Sequence, residues 1–102
     1  MLTGKQRAYL KGLAANEDTI LQVGKNGVID NLVIQVNDAL RARELIKMRV
    51  QECCPLSPHE AAREMAEKTS ADIVLVIGGK FVLYKPNSEK PVINLPKPKA
   101  KS

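Results

Sequence analysis

The stretch Gln22-Val23-Gly24-Lys25-Asn26-Gly27-Val28-Ile29-Asp30 places two glycines around a lysine and an asparagine, with apolar residues on both sides. A glycine at each end admits positive φ angles and lets a ligand approach without meeting a Cβ. The residues that follow have a helical pattern, so first-turn N–H groups and the positive end of a helix dipole lie beside the loop. Lys25 adds a mobile cation, and Asn26 adds a donor and an acceptor. These residue types suit a phosphate or a sugar-phosphate backbone. On spacing alone, a tight strand-to-helix turn is sufficient to account for both glycines, and GxxG by itself is a weak motif.

Other chemistries are poorly served. The Walker loop needs GxxxxGK[ST] and the dinucleotide fingerprint needs GxGxxG, whereas the chain has GKNG and a separate GGK leading into a strand. Both loops are excluded. Cys53 and Cys54 are adjacent, which disfavours a mutual disulfide and gives no CxxC spacing, and His59 is the only histidine, so no metal site is expected. His59 falls in a helix first turn away from any nucleophile motif, and the carboxylates are scattered or stand near helix starts, where capping accounts for them. Glu17 and Asp72 have no evident polar partner in the sequence. No catalytic residue and no cofactor are expected.

The elements that must position the loop follow from periodicity. Residues 3–14 read as a helix, with Thr3 as N-cap, Leu2, Leu10, Leu13 and Ala14 as the apolar stripe, and Arg7 and Lys11 on an outward face. Thr19 to Val23 form a short strand ending at Gly24. Asp30 is the expected N-cap of a second helix over about 31–42, with Leu32, Val33, Val36 and Leu40 inward and Arg41 and Arg43 at its C-terminal end. Residues 44–51 alternate, Ile46, Met48 and Val50 on one face, Leu45, Lys47 and Arg49 on a basic, largely solvated one. Ser57, Pro58 and Glu60 form a capping box that starts a third helix running to about Thr69, with Ala61, Ala62, Met65 and Ala66 inward. The segment 72–85 reads as a hairpin turning at Gly78 and Gly79; its uninterrupted apolar run, Ile73 to Ile77, predicts a central strand covered on both faces.

The order is therefore α-β-α-β-α-β-β, a single α/β domain over residues 1–86 with a four-stranded mixed sheet. The second and third helices would share one face of it and the first would help to cover the rest. From Pro86 onward the chain carries four prolines and ends in alternating lysines. Residues 87–102 are expected to form a partly disordered tail, with a short packed piece around Val92, Ile93 and Leu95.

Composition limits the partners. The chain has 102 residues, 44% of them hydrophobic, with one Phe, two Tyr and no Trp. The core must be aliphatic, and an aromatic stacking platform for bases is not available. Sixteen Lys and Arg against eleven Asp and Glu give a formal charge of +5, which favours polyanions such as nucleic acid, although basicity serving only solubility would look the same. No apolar run reaches the length of a membrane span and the N-terminus lacks a signal-peptide stretch, so a soluble cytoplasmic protein, not a membrane one, is expected.

Four segments in register carry a more specific signal: LTGKQRAYLKGLA at 2–14, VGKNGV at 23–28, ELIKMRV at 44–50 and VIGGKFVLYK at 76–85. Together they resemble the CRM family, the chloroplast RNA splicing and ribosome maturation domain, in particular its stand-alone bacterial members. The resemblance covers about Leu2 to Pro86. It implies a fold related to the C-terminal domain of a bacterial translation initiation factor, a GxxG loop like that of KH domains, and RNA binding during assembly of the large ribosomal subunit. By position, the family's loop falls on Gly24, Lys25, Asn26 and Gly27, its basic start on Lys5, Gln6 and Arg7, and the basic end of its ELIK segment on Lys47. Lys11 and Arg49 would add to the surrounding field. Members commonly carry a basic residue after the hairpin glycine and an arginine after LY, where this chain has Gly79 and Lys85; Lys80 partly replaces the first charge, and Lys85 lacks the bidentate fork of arginine. The expected partner is ribosomal RNA of the large-subunit precursor, bound by a monomer. The alternative is an interaction module that docks a ribosomal or assembly protein.

Overall fold

Along residues 4–86, which the computed structural model describes, the elements run α1 (Gly4–Ala14), β1 (Thr19–Val23), α2 (Asp30–Arg43), β2 (Leu45–Val50), α3 (Pro58–Thr69), β3 (Asp72–Ile77) and β4 (Lys80–Tyr84). This is the expected class and order. Leu2, Thr3 and the segment 87–102 lie outside the described residues.

The strands form one mixed sheet in the order β1-β2-β4-β3, with β1 parallel to β2 and β4 antiparallel to both β2 and β3. The helix α2 therefore links parallel neighbours, and α3 carries the chain past β4 to the far edge. Both helices cover one face: Leu32, Val36 and Leu40 of α2 and Ala61, Ala62, Met65 and Ala66 of α3 enclose Val23, Ile46, Met48, Val50, Phe81 and Leu83. On the other face α1 lays Leu10 and Ala14 over Leu45, Val74, Val82 and Tyr84.

Three expectations are corrected. The apolar run of β3 is an edge strand rather than a central one, because β4 folds back between β2 and β3 and takes the position with two neighbours. Phe81, Val82, Leu83 and Tyr84 are all buried, whereas Ile77 is 62% exposed. A register irregularity between Ile73 and Leu75 breaks the alternation, so that Val74 and Leu75 both pack on the α1 side while Ile73 and Val76 meet α2 and α3's side. An unbroken apolar run here reflects a bulge and not two-sided coverage. The second face of β2 is not wholly solvated either. Leu45 is buried beneath α1, Lys47 is half-buried and Arg49 alone is exposed.

The third correction concerns the start of α2. Its N-cap is Ile29, in extended conformation and without a side-chain cap, and Asp30 is the first helical residue. A carboxylate in the first turn complements the dipole whether or not it caps, so sequence chemistry alone does not separate the two positions. At the other end, Glu44 ends α2 with φ 65 and donates its N–H to Leu40 O at 2.7 Å. Arg43 there pairs with Glu17 at 3.9 Å, the partner that sequence distance concealed.

The capping box of α3 is present as expected. Glu60 N–H donates to Ser57 Oγ at 3.1 Å, and Ser57 N–H donates to Glu60 Oε1 at 2.9 Å. That backbone bond, followed by the one from the Ser57 side chain, lowers the Glu60 pKa. Since the folded value lies below the unfolded one, the contribution is present above the ordinary carboxylate range and is lost as pH falls through the folded value. Ser57→Ala should cost about 1 kcal/mol and lower the melting temperature by roughly 4–8 °C, measured by circular dichroism. The loss should shrink on acidification.

Candidate nucleic-acid interface

Gly27 N–H donates to Gly24 O at 3.0 Å, so GKNG is a closed four-residue turn with Lys25 and Asn26 exposed at its centre. The glycines do different things. Gly27 takes φ 69, which L side chains rarely adopt, whereas at Gly24 an added Cβ would lie 3.1 Å from Gln51 Oε1. Only one of the two supplies the positive φ expected of both; the other supplies room.

The turn is tied to the exit of β2. Gln51 N–H donates to Val23 O at 2.9 Å, and Gln51 Nε2 donates to Gln22 Oε1. The β3–β4 hairpin reaches the same end of the sheet, because Val50 N–H donates to Gly79 O at 2.7 Å. Positive φ falls on Gly78, the first central residue of this turn and not the second, the pattern of type II′.

Register then aligns Gln22 with Arg49, Arg49 with Lys80, and Lys80 with Ile77 in one row across all four strands. Side chains alternate along a strand, so this row lies on the face opposite Met48, Val50 and Phe81, the face that α1 covers farther along. Every residue in the row is exposed. Two cations directly across from one another destabilise a sheet. Neither Arg49 nor Lys80 has an ion pair among the described residues, and an anion lying over both would relieve the repulsion. Lys47, one step back on β2, extends the strip, and Lys25 stands ahead of it on the turn.

The twelve residues marked by the sequence do not converge. Gly24, Lys25, Asn26, Gly27, Arg49 and Lys80 share the loop end, and Lys47 lies at mid-sheet between Thr19 and Val82. Arg7 instead donates from Nη1 to Ile73 O at 3.0 Å and pins α1 to the edge strand at the other end. Lys85 N–H donates to Glu44 O at 2.9 Å, and β4 separates Lys85 from Lys80 by about 17 Å. At that far end burial first, then the Glu44 and Asp72 carboxylates, raise the pKa of Tyr84. Lys5 and Lys11 are exposed and Gln6 half-buried on α1.

Four residues escaped the sequence reading. Gln22, Asn31, Gln35 and Gln51 line a groove of about 500 Å³ together with the GKNG turn, Ile29 and Leu32. The i, i+4 spacing of Asn31 and Gln35 was visible as a shared helix face. Gln51 carries no such signal, since only the parallel pairing of β1 and β2 brings it to the turn. Among the described residues no three His, Cys, Asp or Glu gather to hold a metal, and no helix is long and apolar enough to cross a membrane.

A family model, the CRS1 / YhbY (CRM) domain, matches residues 2–85. The probable RNA-binding protein YqeI of Bacillus subtilis is 42% identical over 96 residues, which are 94% of this chain and all of that protein. An RNA-binding protein of Haemophilus influenzae is 33% identical, covering 94% of this chain and 96% of its own. The solution structure of a hypothetical Staphylococcus aureus protein, a candidate RNA binding protein, matches with a TM-score of 0.72 and 41% identity over 94% of this chain and 100% of the other.

Proposed function

The chain belongs to the CRS1/YhbY (CRM) domain family, and from that premise we propose that it is a non-enzymatic RNA-binding protein. It grips structured ribosomal RNA during assembly of the large ribosomal subunit, acting as a monomer in the cytoplasm. The observation that carries the reading is the Arg49–Lys80 pair, two cations held opposite each other beside the GKNG turn with no ion pair to either among the described residues. Phosphates bridging the strip and the turn would satisfy both. Such contacts position RNA without reading its sequence, so binding should depend steeply on salt.

Lys25→Ala tests the turn. Loss of one phosphate contact should flatten the slope of log affinity against log salt by roughly 0.7 to 0.9, read by fluorescence anisotropy with a structured ribosomal RNA fragment. Unchanged affinity and slope would remove the turn from the interface. A duplex DNA competitor as effective as the RNA would show general polyanion binding instead.

A further inference from the structure

We propose that the groove beside the GKNG turn is a subsite for one unpaired nucleobase, read at its edge by carboxamides while the adjoining phosphate lies against Lys25. The proposal rests on the RNA-binding reading above and adds a specificity that phosphate contacts alone do not supply.

The groove's volume, about 500 Å³, falls within the range of clefts that hold small ligands. Its chemistry is unlike that of a phosphate cradle. Gln22, Asn26, Asn31, Gln35 and Gln51 contribute five carboxamides, and Lys25 is the one charged side chain among the lining residues. A carboxamide presents a donor and an acceptor side by side, the complement of a base edge such as N6 and N7 of adenine. Gln51 donates from Nε2 to Gln22 Oε1 and accepts from Cys53 Sγ at Oε1, which fixes that pair and leaves the Gln22 amino group to face a ligand. Asn31 and Gln35, four apart on α2, form the opposite wall.

Two further observations decide how a nucleotide would lie. Ile29 occupies the N-cap of α2, a position where a side chain that hydrogen-bonds is preferred, yet it makes no cap bond and is 44% exposed. It gives an aliphatic surface for the face of a base, with the largely buried Leu32 at the groove floor, in a chain that has few aromatic rings to offer. Asp30 carries negative charge in the first turn of the same helix, which opposes an anion on the helix axis. The neutral base therefore faces α2 and the phosphate faces Lys25. A base inside a helix has its edge engaged and its faces stacked, so the occupant is a nucleotide from a loop, bulge or end.

The test uses the full chain and two probes of equal length and charge, a ten-residue oligoadenylate and a ten-residue abasic ribose-phosphate oligomer. Oligoadenylate should bind about tenfold more tightly, toward the low end of what a bidentate base contact provides. The side-chain amide resonances of Asn31 and Gln35 should shift with oligoadenylate and not with the abasic oligomer. Replacing both exposed residues, Asn31→Ala with Gln35→Ala, should bring the two affinities together while leaving the salt slope unchanged. Equal affinity of the unaltered protein for both probes, or a preference that survives the double substitution, would overturn the base subsite and leave phosphate binding intact. Binding to neither probe at low salt while the structured ribosomal RNA fragment still binds would overturn the base subsite alone, and binding to none of the three would overturn the RNA-binding reading along with it.

Discussion

Replacing Arg49 and Lys80 together by glutamine is expected to weaken binding of structured RNA by about 40-fold at 0.1 M salt, because each lost phosphate contact removes a counterion-release gain of roughly fivefold to eightfold there. The slope of log affinity against log salt should flatten by about 1.4 to 1.8 at the same time. The control is the pair Lys5→Gln with Lys85→Gln, which makes the same change in net charge away from the turn. It should alter affinity no more than about twofold, as expected of charges that add only to a screened general field. Equal losses from the two pairs would mean that the protein attracts RNA over its whole surface and has no loop-end site. A second readout separates interface from scaffold. Since Arg49 and Lys80 oppose each other directly in the sheet, neutralising them should raise the melting temperature slightly while affinity falls. A pair of residues that costs stability in the free protein and contributes to binding is hard to explain as packing.

What was legible in the sequence was what is local. The capping box at Ser57 and Glu60, the helix stripe of Leu32, Val36 and Leu40, and the two glycine turns depend on residues within a few positions of each other, and the structure has them all. The GKNG turn could be singled out for the same reason. Strand order could not. The segments at 73–77 and 81–84 are similarly apolar, and nothing within either one states which of them pairs with β2. The composition of the site was mixed in the same way. Lys47, Arg49 and Lys80 were each visible as basic residues, but their alignment in one strip depends on the register of β2 against β4. Arg7 and Lys85 were visible as cations too, and charge type carries no information about which end of a sheet a residue reaches. The carboxamides of the groove carry no functional signal in the sequence, since neutral amides are common on surfaces, and only their convergence from β1, α2 and the exit of β2 makes them a site.

The strand order has an energetic consequence that separates the two apolar segments. Phe81→Ala is expected to cost about 3–5 kcal/mol, measured by urea denaturation, while Ile77→Ala should stay within about 0.5 kcal/mol. Phe81 is fully buried and pairs with Met48 on one side and Val76 on the other, so its ring stands at the middle of the sheet. The helix above it is lined with Ala61, Ala62 and Ala66, small residues that let α3 approach the strands closely and have little bulk with which to refill a lost ring. A cavity there cannot collapse cheaply. Domains of this size are stable by roughly 5–15 kcal/mol, so one substitution would remove a large share of the total. Ile77 stands at the end of an edge strand with most of its side chain in water, and truncating it returns little area to solvent. Had the run Ile73 to Ile77 been the central strand, the two costs would be reversed. The ratio of the two therefore measures whether β4 inserts between β2 and β3 in solution. The same insertion aligns Lys80 with Arg49, so a reversed ratio would dissolve the basic strip along with the strand order.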